Sequence, residues 1–312
     1  MKFTRKSQAI LYGTHIWIVQ NMLDYDYLCG RGPSIVAVYS SQATGKRYKV
    51  FWWWEEIYIP TVHNREDIDQ FPNVDTLINL ASFRSCTAVN VAAINSHKFK
   101  HIFTIAEWVA ECETRELISL AANSWVQLFW PSIVWWLISG VFRIGHTWWS
   151  LDNIMKSRLT TPGSVGIVTK SGGMMNELCR IVSKHSDWVH SAFQIGWDRF
   201  PMTSFLPIVK YFESHPDIKM IVLLWEVGNP IECEIADMIK SQDIKKPVVA
   251  YCIGTAAEYL KTEVQFGHAG AKANNEKETA SYKNNYLLEA GSYVPKNFDG
   301  YGQKIAKVNE II

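Results

Sequence analysis

Apolar segments of strand length alternate with segments of helical periodicity along almost the whole sequence. Residues 8–12 and 34–40 are short apolar runs, and between them Val19, Met22 and Leu23 recur at helical spacing. Because parallel strands need a crossover connection, this alternation favours a doubly wound, mostly parallel sheet. The sequence therefore predicts the α/β class.

A change in composition divides the chain. Charged residues return at 152–158 and the breaker Thr161-Pro162-Gly163 follows, so we place a domain boundary near residue 155. The resulting domains, 1–155 and 156–312, are both of ordinary size. Further strands are predicted at 55–60 (ended by Pro60), 74–81, 101–107, 164–170, 218–226, 247–254 and 292–295, and further helices at 67–71, 112–123, 174–184, 232–242, 283–291 and from about Asp299.

Composition argues against several classes of protein. A formal net charge of +1 provides no field that would steer nucleic acid. Six cysteines without a CxxC pair predict free thiols in a reducing compartment, which favours the cytoplasm. The apolar run 125–142 has the length of a membrane span, but Pro131 and several serines argue against one. His97 and His101 have no third ligand nearby, so we predict that both face solvent and that there is no metal site.

A glycine-rich turn follows the predicted strand 164–170. Ser171, Gly172 and Gly173 open a helix there. Glycines let a ligand approach the backbone, and the free N–H groups of a helix start bind anions. The alternative is an ordinary turn in which Ser171 only caps the helix.

His268 and Glu226 are the candidates for catalytic side chains. His268 stands between Gly267 and the small residues 269–271, which leave an imidazole accessible as a nucleophile towards a phosphoryl group. Glu226 ends a predicted buried strand, where a carboxylate can orient a histidine ring. The alternatives are a structural histidine and an exposed acid at the end of a strand.

Polar and small residues follow three strands of the first domain. Since the carboxyl ends of parallel strands meet at one edge, we expect these residues to line one nucleotide crevice, with Arg84 as a phosphate partner. Gly30-Arg31-Gly32 does not predict such a site because no helix follows it. The residues of the expected crevice are Gly13, Thr14, Ser82, Arg84, Ser85, Ala106 and Glu107.

At these motifs the chain resembles the part of ATP-citrate lyase that is similar to the α subunit of succinyl-CoA synthetase. Two segments, 219–228 and 263–274, are shared in outline with succinyl-CoA synthetase itself, as is Ser171–Gly173. The resemblance covers nearly the whole chain and rests on NMLDYDYLCGR (21–31), LINLASFRS (77–85), LDNIMKSRL (151–159), PGSVGIVTKSGGMMNEL (162–178), KMIVLL with the following Glu226 and Gly228 (219–228), and EVQFGHAGAKAN (263–274).

The resemblance implies a fold and a mechanism. It implies a Rossmann-like CoA-binding domain over 1–155 and a flavodoxin-like ligase domain over 156–312. By motif, His268 is the residue that ATP phosphorylates, Ser171–Gly173 receives the phosphohistidine, and Glu226 holds the histidine. Citrate would then be phosphorylated and attacked by CoA, which the crevice of the first domain would bind.

The resemblance also implies partners. An ATP-grasp portion, which would bind ATP and Mg²⁺, and a citrate-synthase-like portion have no counterpart in the sequence. The chain would then be one subunit or fragment of a hetero-oligomer that forms citryl-CoA. The alternatives are the α subunit of succinyl-CoA synthetase, a non-catalytic CoA-binding or scaffold subunit, and a Trp-rich membrane protein.

Tryptophan departs from the family pattern. The chain has 14 tryptophans, and many stand where the family has glycine. Tryptophan is a poor replacement for glycine where φ is positive or a ligand approaches closely. We interpret these residues as UGA codons that mean glycine in the source; if they are genuine tryptophans, an inactive subunit is expected. The positions are Trp53, Trp108, Trp125, Trp130, Trp135, Trp136, Trp148, Trp149, Trp188, Trp197 and Trp225.

Overall fold

The computed structural model describes residues 3–40, 47–129, 135–145, 151–196, 202–260 and 271–312. The chain divides into two compact units, Met1–Leu151 and Asp152–Ile312. The α/β class predicted from the sequence is confirmed, because each unit combines a largely parallel sheet with helices. The division lies close to the predicted boundary near residue 155, while the roles assigned to the two domains stay predictions.

The first unit is built on a sheet of seven described strands. Its parallel strands have the buried, β-branched character expected of strands covered on both faces. The strands are β1 (Ala9–Tyr12), β2 (Ile35–Tyr39), β3 (Arg47–Trp52), β4 (Glu55–Val62), β5 (Thr76–Asn79), β6 (His101–Thr104) and β7 (Gln127–Phe129), and the helices are α1 (Ile16–Leu28), α2 (Arg65–Asp69), α3 (Cys86–Asn95) and α4 (Glu111–Ser124).

The strand order of this sheet is that of a Rossmann fold. The order is β3-β4-β2-β1-β5-β6-β7, in which every neighbouring pair except the antiparallel pair β3 and β4 is parallel. Without the edge strand β3, the chain runs outward from β1 in one direction and then from β5 in the other. The switch point, where such sheets bind ligands, therefore lies beyond the carboxyl ends of β1 and β5.

Two antiparallel hairpins were missed by the sequence analysis. Strand β3 pairs with β4 through a connection of two residues, Trp53 and Trp54. The prediction that Pro60 ends β4 is wrong, because β4 changes its partner there: it pairs with β3 up to Pro60 and with β2 from Thr61. The second hairpin joins β8 (Trp135–Ile138) and β9 (Phe142–Gly145).

The membrane-like run 125–142 includes β7 and β8, with Trp135 and Trp136 fully buried. Among the described residues, no helix has the length and apolarity needed to cross a bilayer. Within the described part of this run, the buried apolar residues of β7 and β8 belong to strands and not to a membrane-spanning helix.

The second unit has the strand order of a flavodoxin-like sheet. Its parallel strands run β13-β12-β10-β11, and Tyr293 makes a single parallel bridge to Val249 at the outer edge of β13. The predicted strand 292–295 is reduced to this bridge. The elements are β10 (Val165–Thr169), β11 (Val189–Gln194), β12 (Met220–Glu226) and β13 (Val248–Ile253), with helices α5 (Leu151–Lys156), α6 (Gly172–His185), α7 (Phe205–Ser214), α8 (Cys233–Lys240), α9 (Ala280–Glu289) and α10 (Tyr301–Asn309).

The switch point of the second unit lies between β10 and β12. The chain moves from β10 outward to β11 and then returns to the other side of β10 with β12. The carboxyl ends of β10 and β12 are neighbours, since Thr169 is paired with Leu224. Ligands are therefore expected beyond Thr169 and Glu226.

One predicted pair of exposed histidines is separated by the fold. His97 is exposed, as predicted, but His101 is buried on the interior strand β6, so the prediction of a solvent-facing His101 is wrong. Its ring lies 4.8 Å from that of Phe3 between centroids. Burial lowers the pKa of His101, because the charged imidazolium is poorly solvated there.

Candidate functional site

The turn after β10 has the geometry of an anion site. Ser171 is the N-cap of α6, and its hydroxyl oxygen accepts a hydrogen bond from the Met174 N–H at 3.4 Å. The Ser171 N–H in turn donates to the Thr169 hydroxyl at 3.0 Å. These two bonds fix the turn and leave the first N–H groups of the helix directed outward from the strand end.

Gly173 leaves space at this helix start. A Cβ atom placed on Gly173 would meet no heavy atom within 4 Å. The packing of the described residues therefore does not require glycine at this position. Open space beside free N–H groups is what a phosphate or carboxylate ligand needs.

Glu226 ends β12 at the same edge of the sheet. Its side chain is only 7% exposed, so Glu226 is not the exposed acid of the alternative interpretation. The neighbouring strand end is close, because the Lys170 N–H donates to the Leu224 carbonyl oxygen at 3.3 Å. The fold thus brings the predicted Ser171–Gly173 turn and the predicted Glu226 to one switch point.

A buried lysine holds the turn that follows Glu226. Lys283, on α9, is 1% exposed. Its ammonium group donates to the Glu226 carbonyl oxygen at 3.1 Å, to the Asn229 carbonyl oxygen at 2.8 Å and to the Gly228 carbonyl oxygen. Three carbonyl groups of one turn therefore converge on a single cation.

A buried carboxylate compensates two lysines beside this turn. Glu232 is fully buried and lies 3.1 Å from Lys283 between carboxylate oxygen and ammonium nitrogen. Lys170, at the end of β10, makes the second ion pair with Glu232. The two strand ends are thus joined through one acid, and a charge buried in this way is stable only while it remains paired.

The sequence analysis did not single out Lys283 or Glu232. The two residues are 51 positions apart and meet only through the fold. One local signal was available, since a lysine followed closely by apolar residues on a short helix is unusual for an exposed helix face. His268 and its neighbours lie in residues 261–270, outside the described residues.

The first unit brings the predicted CoA residues to the carboxyl edge of its sheet. Gly13 follows β1 with a φ of 113°, and a Cβ atom there would lie 3.3 Å from Leu80 Cβ. Glycine therefore lets the turns after β1 and β5 approach each other. The exposed or half-exposed residues at this edge are Gly13, Thr14, Ser82, Arg84, Ser85, Ala106 and Glu107.

A buried polar network fixes the turn that carries Ser82, Arg84 and Ser85. The Asn79 side-chain amide donates to Asn90 Oδ1 at 2.8 Å, and its own oxygen accepts from the Ala81 N–H at 2.9 Å. Thr104 also donates to Asn90 Oδ1, at 3.0 Å. The sequence analysis missed these residues, because buried amides cannot be told from exposed ones by type alone.

A cavity of about 530 Å³ lies along α3 in the first unit. It is lined by Tyr12 and Tyr39 at two strand ends, by apolar residues of α3, and by the basic side chains Arg65 and Lys98. The predicted CoA residues do not line it. Apolar and aromatic walls with a few polar groups are common in pockets for small molecules.

Three possible metal ligands meet at the opposite, amino edge of the second sheet. Donor atoms of His190, His215 and Asp217 lie within 4.8 Å of one another. The Lys246 ammonium group donates to the His215 carbonyl oxygen and opposes a cation at this place. The pKa of His190 is lowered to about 4, first by burial and then by the neighbouring His215.

Comparison with known proteins relates the chain to CoA ligases. The family described as CoA-ligase matches residues 168–293, which contain the turn after β10 and the Lys283 cluster. Mouse ATP-citrate synthase is 43% identical over 99% of this chain and 28% of its own length. The probable ATP-citrate synthase subunit 1 of Schizosaccharomyces pombe is 40% identical over 99% of this chain and 50% of its own length.

A solved structure shares the fold of the whole chain. ATP citrate lyase from Methanothrix soehngenii, determined in complex with citrate and coenzyme A, matches with a TM-score of 0.95 and 39% identity over 100% of this chain and 51% of that chain. The chain thus spans about half the length, or less, of these relatives. The chain is therefore homologous, over almost its entire length, to one portion of ATP-citrate synthase, and the match to the CoA-ligase family lies within its second unit.

Proposed function

We propose that this chain is the CoA-ligase portion of a citrate-activating enzyme that forms citryl-CoA from citrate, CoA and ATP. The observation that carries the proposal is the shared position of Ser171–Gly173 and Glu226 at the switch point of the second sheet. An anion site and a buried carboxylate at one sheet edge are the two elements that a phosphohistidine carrier needs. Similarity to ATP-citrate synthase supports citrate as the acid.

The proposed reaction has three steps, and each of them transfers one group. His268 takes the γ-phosphoryl group of ATP, and ADP leaves. A citrate carboxylate then attacks the phosphorus atom and frees the imidazole. The sulfur of CoA finally attacks the carbonyl carbon of citryl phosphate, inorganic phosphate leaves, and a thioester forms.

In these proposed steps the described residues act by position and by charge. The N–H groups at the start of α6 stabilise the transferred phosphoryl group. Glu226 accepts a hydrogen bond from the imidazole nitrogen that does not react, and so fixes the tautomer of His268. Arg84 and the turns after β1 and β5 hold the phosphates of CoA.

The proposed enzyme needs a partner portion for ATP. The described residues contain two sheet units with doubly wound topology, and the relatives extend well beyond them. We assign ATP and Mg²⁺ to an ATP-grasp subunit or domain, and the cleavage of citryl-CoA to a citrate-synthase-like portion. The six cysteines are all free thiols, which supports a reducing compartment such as the cytoplasm.

The test is reconstitution with an ATP-grasp partner and a choice of acids. The complex, with ATP, Mg²⁺ and CoA, is given citrate or succinate, and the thioester is identified by mass spectrometry. We expect citryl-CoA and no succinyl-CoA. Succinyl-CoA alone would assign the chain to the succinyl-CoA synthetases, and CoA binding without either thioester would indicate a scaffold subunit.

A further inference from the structure

We propose that Lys283 is a positioning residue that sets the orientation of Glu226 by fixing the turn of residues 226–229. This inference rests on the proposed function, since it assigns Glu226 to the phosphohistidine step. Lys283 itself stands apart from the substrates, because it is 1% exposed beneath the turn. Its action on the reaction is therefore transmitted through the backbone of Glu226.

The backbone of this turn needs such an anchor. Gly228 has a φ of 89° and Asn229 has a φ of 35°, so two consecutive residues leave the usual regions. Consecutive carbonyl groups that point in one direction repel each other, and the Lys283 ammonium group offsets this repulsion by binding three of them. The same turn is also held through a backbone N–H group: that of Gly228 donates to the Glu278 carbonyl oxygen at 2.9 Å.

The positive charge of Lys283 is compensated by a buried acid. Glu232 lies between Lys283 and Lys170 and is fully buried. Lys170 stands at the end of β10, directly before Ser171. Glu232 therefore links Lys283, which holds the turn after Glu226, to the end of β10, which carries the Ser171–Gly173 turn. This link fixes the position of Glu226 relative to Ser171–Gly173.

A double-mutant cycle tests this role. Lys283→Met, Glu226→Gln and the double variant are compared in the reconstituted complex by the initial rate of acid-labile ³²P incorporation from ATP. We expect Lys283→Met to lower this rate roughly 10- to 100-fold, because small misplacements of a positioning group have effects of this size. Lys277→Met, an exposed lysine of the same region, is the matched control and should label at the wild-type rate.

The double variant separates positioning from general damage. If Lys283 acts through Glu226, the double variant labels no more slowly than Glu226→Gln alone. The inference would be overturned if the rate of the double variant fell by the product of the two single-variant factors, or if Lys283→Met labelled at the wild-type rate. If Lys283→Met unfolds, Lys283→Gln takes its place in the cycle, because its side-chain amide keeps two donors for the carbonyl groups. No label in the wild-type complex would contradict the proposed function itself.

An independent observation concerns the tryptophans. Among the described residues, eight that are not glycine have positive φ, and four of these eight are tryptophan: Trp53, Trp108, Trp125 and Trp188. Tryptophan accounts for only 14 of the 312 residues. From this geometry we infer that the protein made by its source has glycine at these four positions, through UGA codons that are read as glycine.

Trp125 occupies a helix end that normally requires glycine. It follows α4 in the left-handed conformation, with φ 59° and ψ 24°, and is 93% exposed. The Val126 N–H donates to the Ala121 carbonyl oxygen at 3.3 Å, which is the bond pattern of a Schellman motif with Trp125 at its left-handed position. An exposed indole gains no packing there that would offset the backbone strain.

Trp53 occupies a hairpin position of the same kind. It is the first of the two residues that join β3 to β4, and its φ is 60°. A two-residue hairpin with positive φ at its first position is a place for glycine. Trp108 (φ 62°) and Trp188 (φ 90°) lie in the connections that precede α4 and β11, where glycine is also the usual residue with such φ values.

The codons decide this inference directly. We expect UGA at the codons for residues 53, 108, 125 and 188 and UGG at Trp52, which lies on β3 and meets Tyr27 edge-on at 5.6 Å. Peptide masses of the protein purified from its source should show glycine at the four positions. UGG codons there would overturn the inference.

A recombinant comparison gives a second readout. Trp125→Gly should raise the Tm by about 2–4 °C, because it relieves left-handed strain of roughly 1–2 kcal/mol at a side chain that is 93% exposed. The gain should be smaller at Trp53, which stacks on Tyr27, and at Trp188, which packs against Arg158. Trp52→Gly should lower the Tm, because it removes a packed ring from a strand. A lower Tm for all four glycine variants would contradict the inference.

Discussion

The switch point of the first unit presents glycine, serine and one arginine to solvent, whereas that of the second unit is supported by two lysines and two acids that are almost fully buried. In the first unit the supporting residues are neutral: the Asn79 side-chain amide donates to Asn90 Oδ1 and to the Cys86 carbonyl oxygen. In the second unit the support is an ion-pair chain from Lys170 through Glu232 to Lys283.

This difference matches two kinds of task. A crevice that only holds a ligand needs exposed donors on a rigid turn, and neutral amides give rigidity at a small electrostatic cost. A site that transfers a charged phosphoryl group needs fixed charges that do not have to reorganise during the step. We propose on this basis that the first unit binds a ligand and the second carries out the chemistry, and the following predictions test that division.

The largest expected effect is on the helix start of the second unit. Gly173→Glu places a carboxylate where the phosphoryl group should bind, so citryl-CoA formation should fall at least 100-fold, which is the range for loss of an anion-stabilising group. Stability should not fall, because an acid in the first turn of a helix is favourable. Gly173→Ala is the control and should lose much less activity, because it adds one methyl group without a charge and its Cβ meets no protein atom within 4 Å. Full activity of Gly173→Glu would exclude this helix start as the anion site.

The neutral support of the first unit should show in stability. Asn90→Ala leaves the buried donors of Asn79 and Thr104 without their acceptor, so the free energy of unfolding should fall by about 2–3 kcal/mol. Urea unfolding measures this change, and Asn95→Ala, on the exposed face of the same helix, is the control. If both variants unfold alike, the network does not hold the turn after β5.

Arg84 should affect binding alone. The side chain is exposed and lies over the Phe83 ring, with 5.1 Å from Cζ to the centroid, so its loss should leave the Tm unchanged. Arg84→Ala should raise the KM for CoA about tenfold, as expected for one charge-assisted phosphate contact, and leave kcat unchanged. A fall in kcat with an unchanged KM would place Arg84 in the chemistry and break the comparison.

The smallest effect concerns acid stability of the second unit. The pKa of His190 is lowered to about 4 by burial, by His215 and by Lys246, while Asp217 acts in the opposite direction. A lowered pKa means that the folded state binds fewer protons than the unfolded state between about pH 4 and 6.5. Stability from the neutral ring is therefore present above pH 6.5 and is lost as the pH falls towards 4.

The measurement is the Tm between pH 7 and pH 4.5 for the wild type and His190→Gln. Over this interval the free energy of unfolding of the wild type should fall by about 1–2 kcal/mol more than that of the variant. This value allows for partial solvation of the charged ring. His97→Gln, an exposed histidine of the first unit, should follow the wild type. Parallel curves for the wild type and His190→Gln would show that the buried ring does not titrate in this way.

The sequence predicted the elements that carry a plain hydrophobic signal. Strands β1, β2, β5, β10, β12 and β13 are buried apolar runs, and their alternation with helical segments predicts largely parallel sheets. Strand β11 was missed because His190, Ser191 and Gln194 interrupt its apolar character, although all three are buried. Strand β3 was missed because it is largely exposed and has no apolar run.

The candidate site divides in the same way. Ser171, Gly173 and Glu226 were singled out because they follow strands, and strand ends can be located from the sequence; their roles stay predictions. Lys283 and Glu232 were not found because their roles depend on contacts across 51 or more positions, and residue type alone predicts exposure for both. Asn79 and Asn90 were missed for the same reason.

Phosphoryl transfer to His268 tests the central claim most directly. The complex of the chain with an ATP-grasp partner is incubated with [γ-³²P]ATP and Mg²⁺, digested, and examined for acid-labile label on the peptide that contains His268, with His268→Asn as the control. The account predicts label on His268 in the wild type, none in His268→Asn, and discharge of the label when citrate and CoA are added. Label that is absent from the wild type, or that persists in His268→Asn, would contradict it.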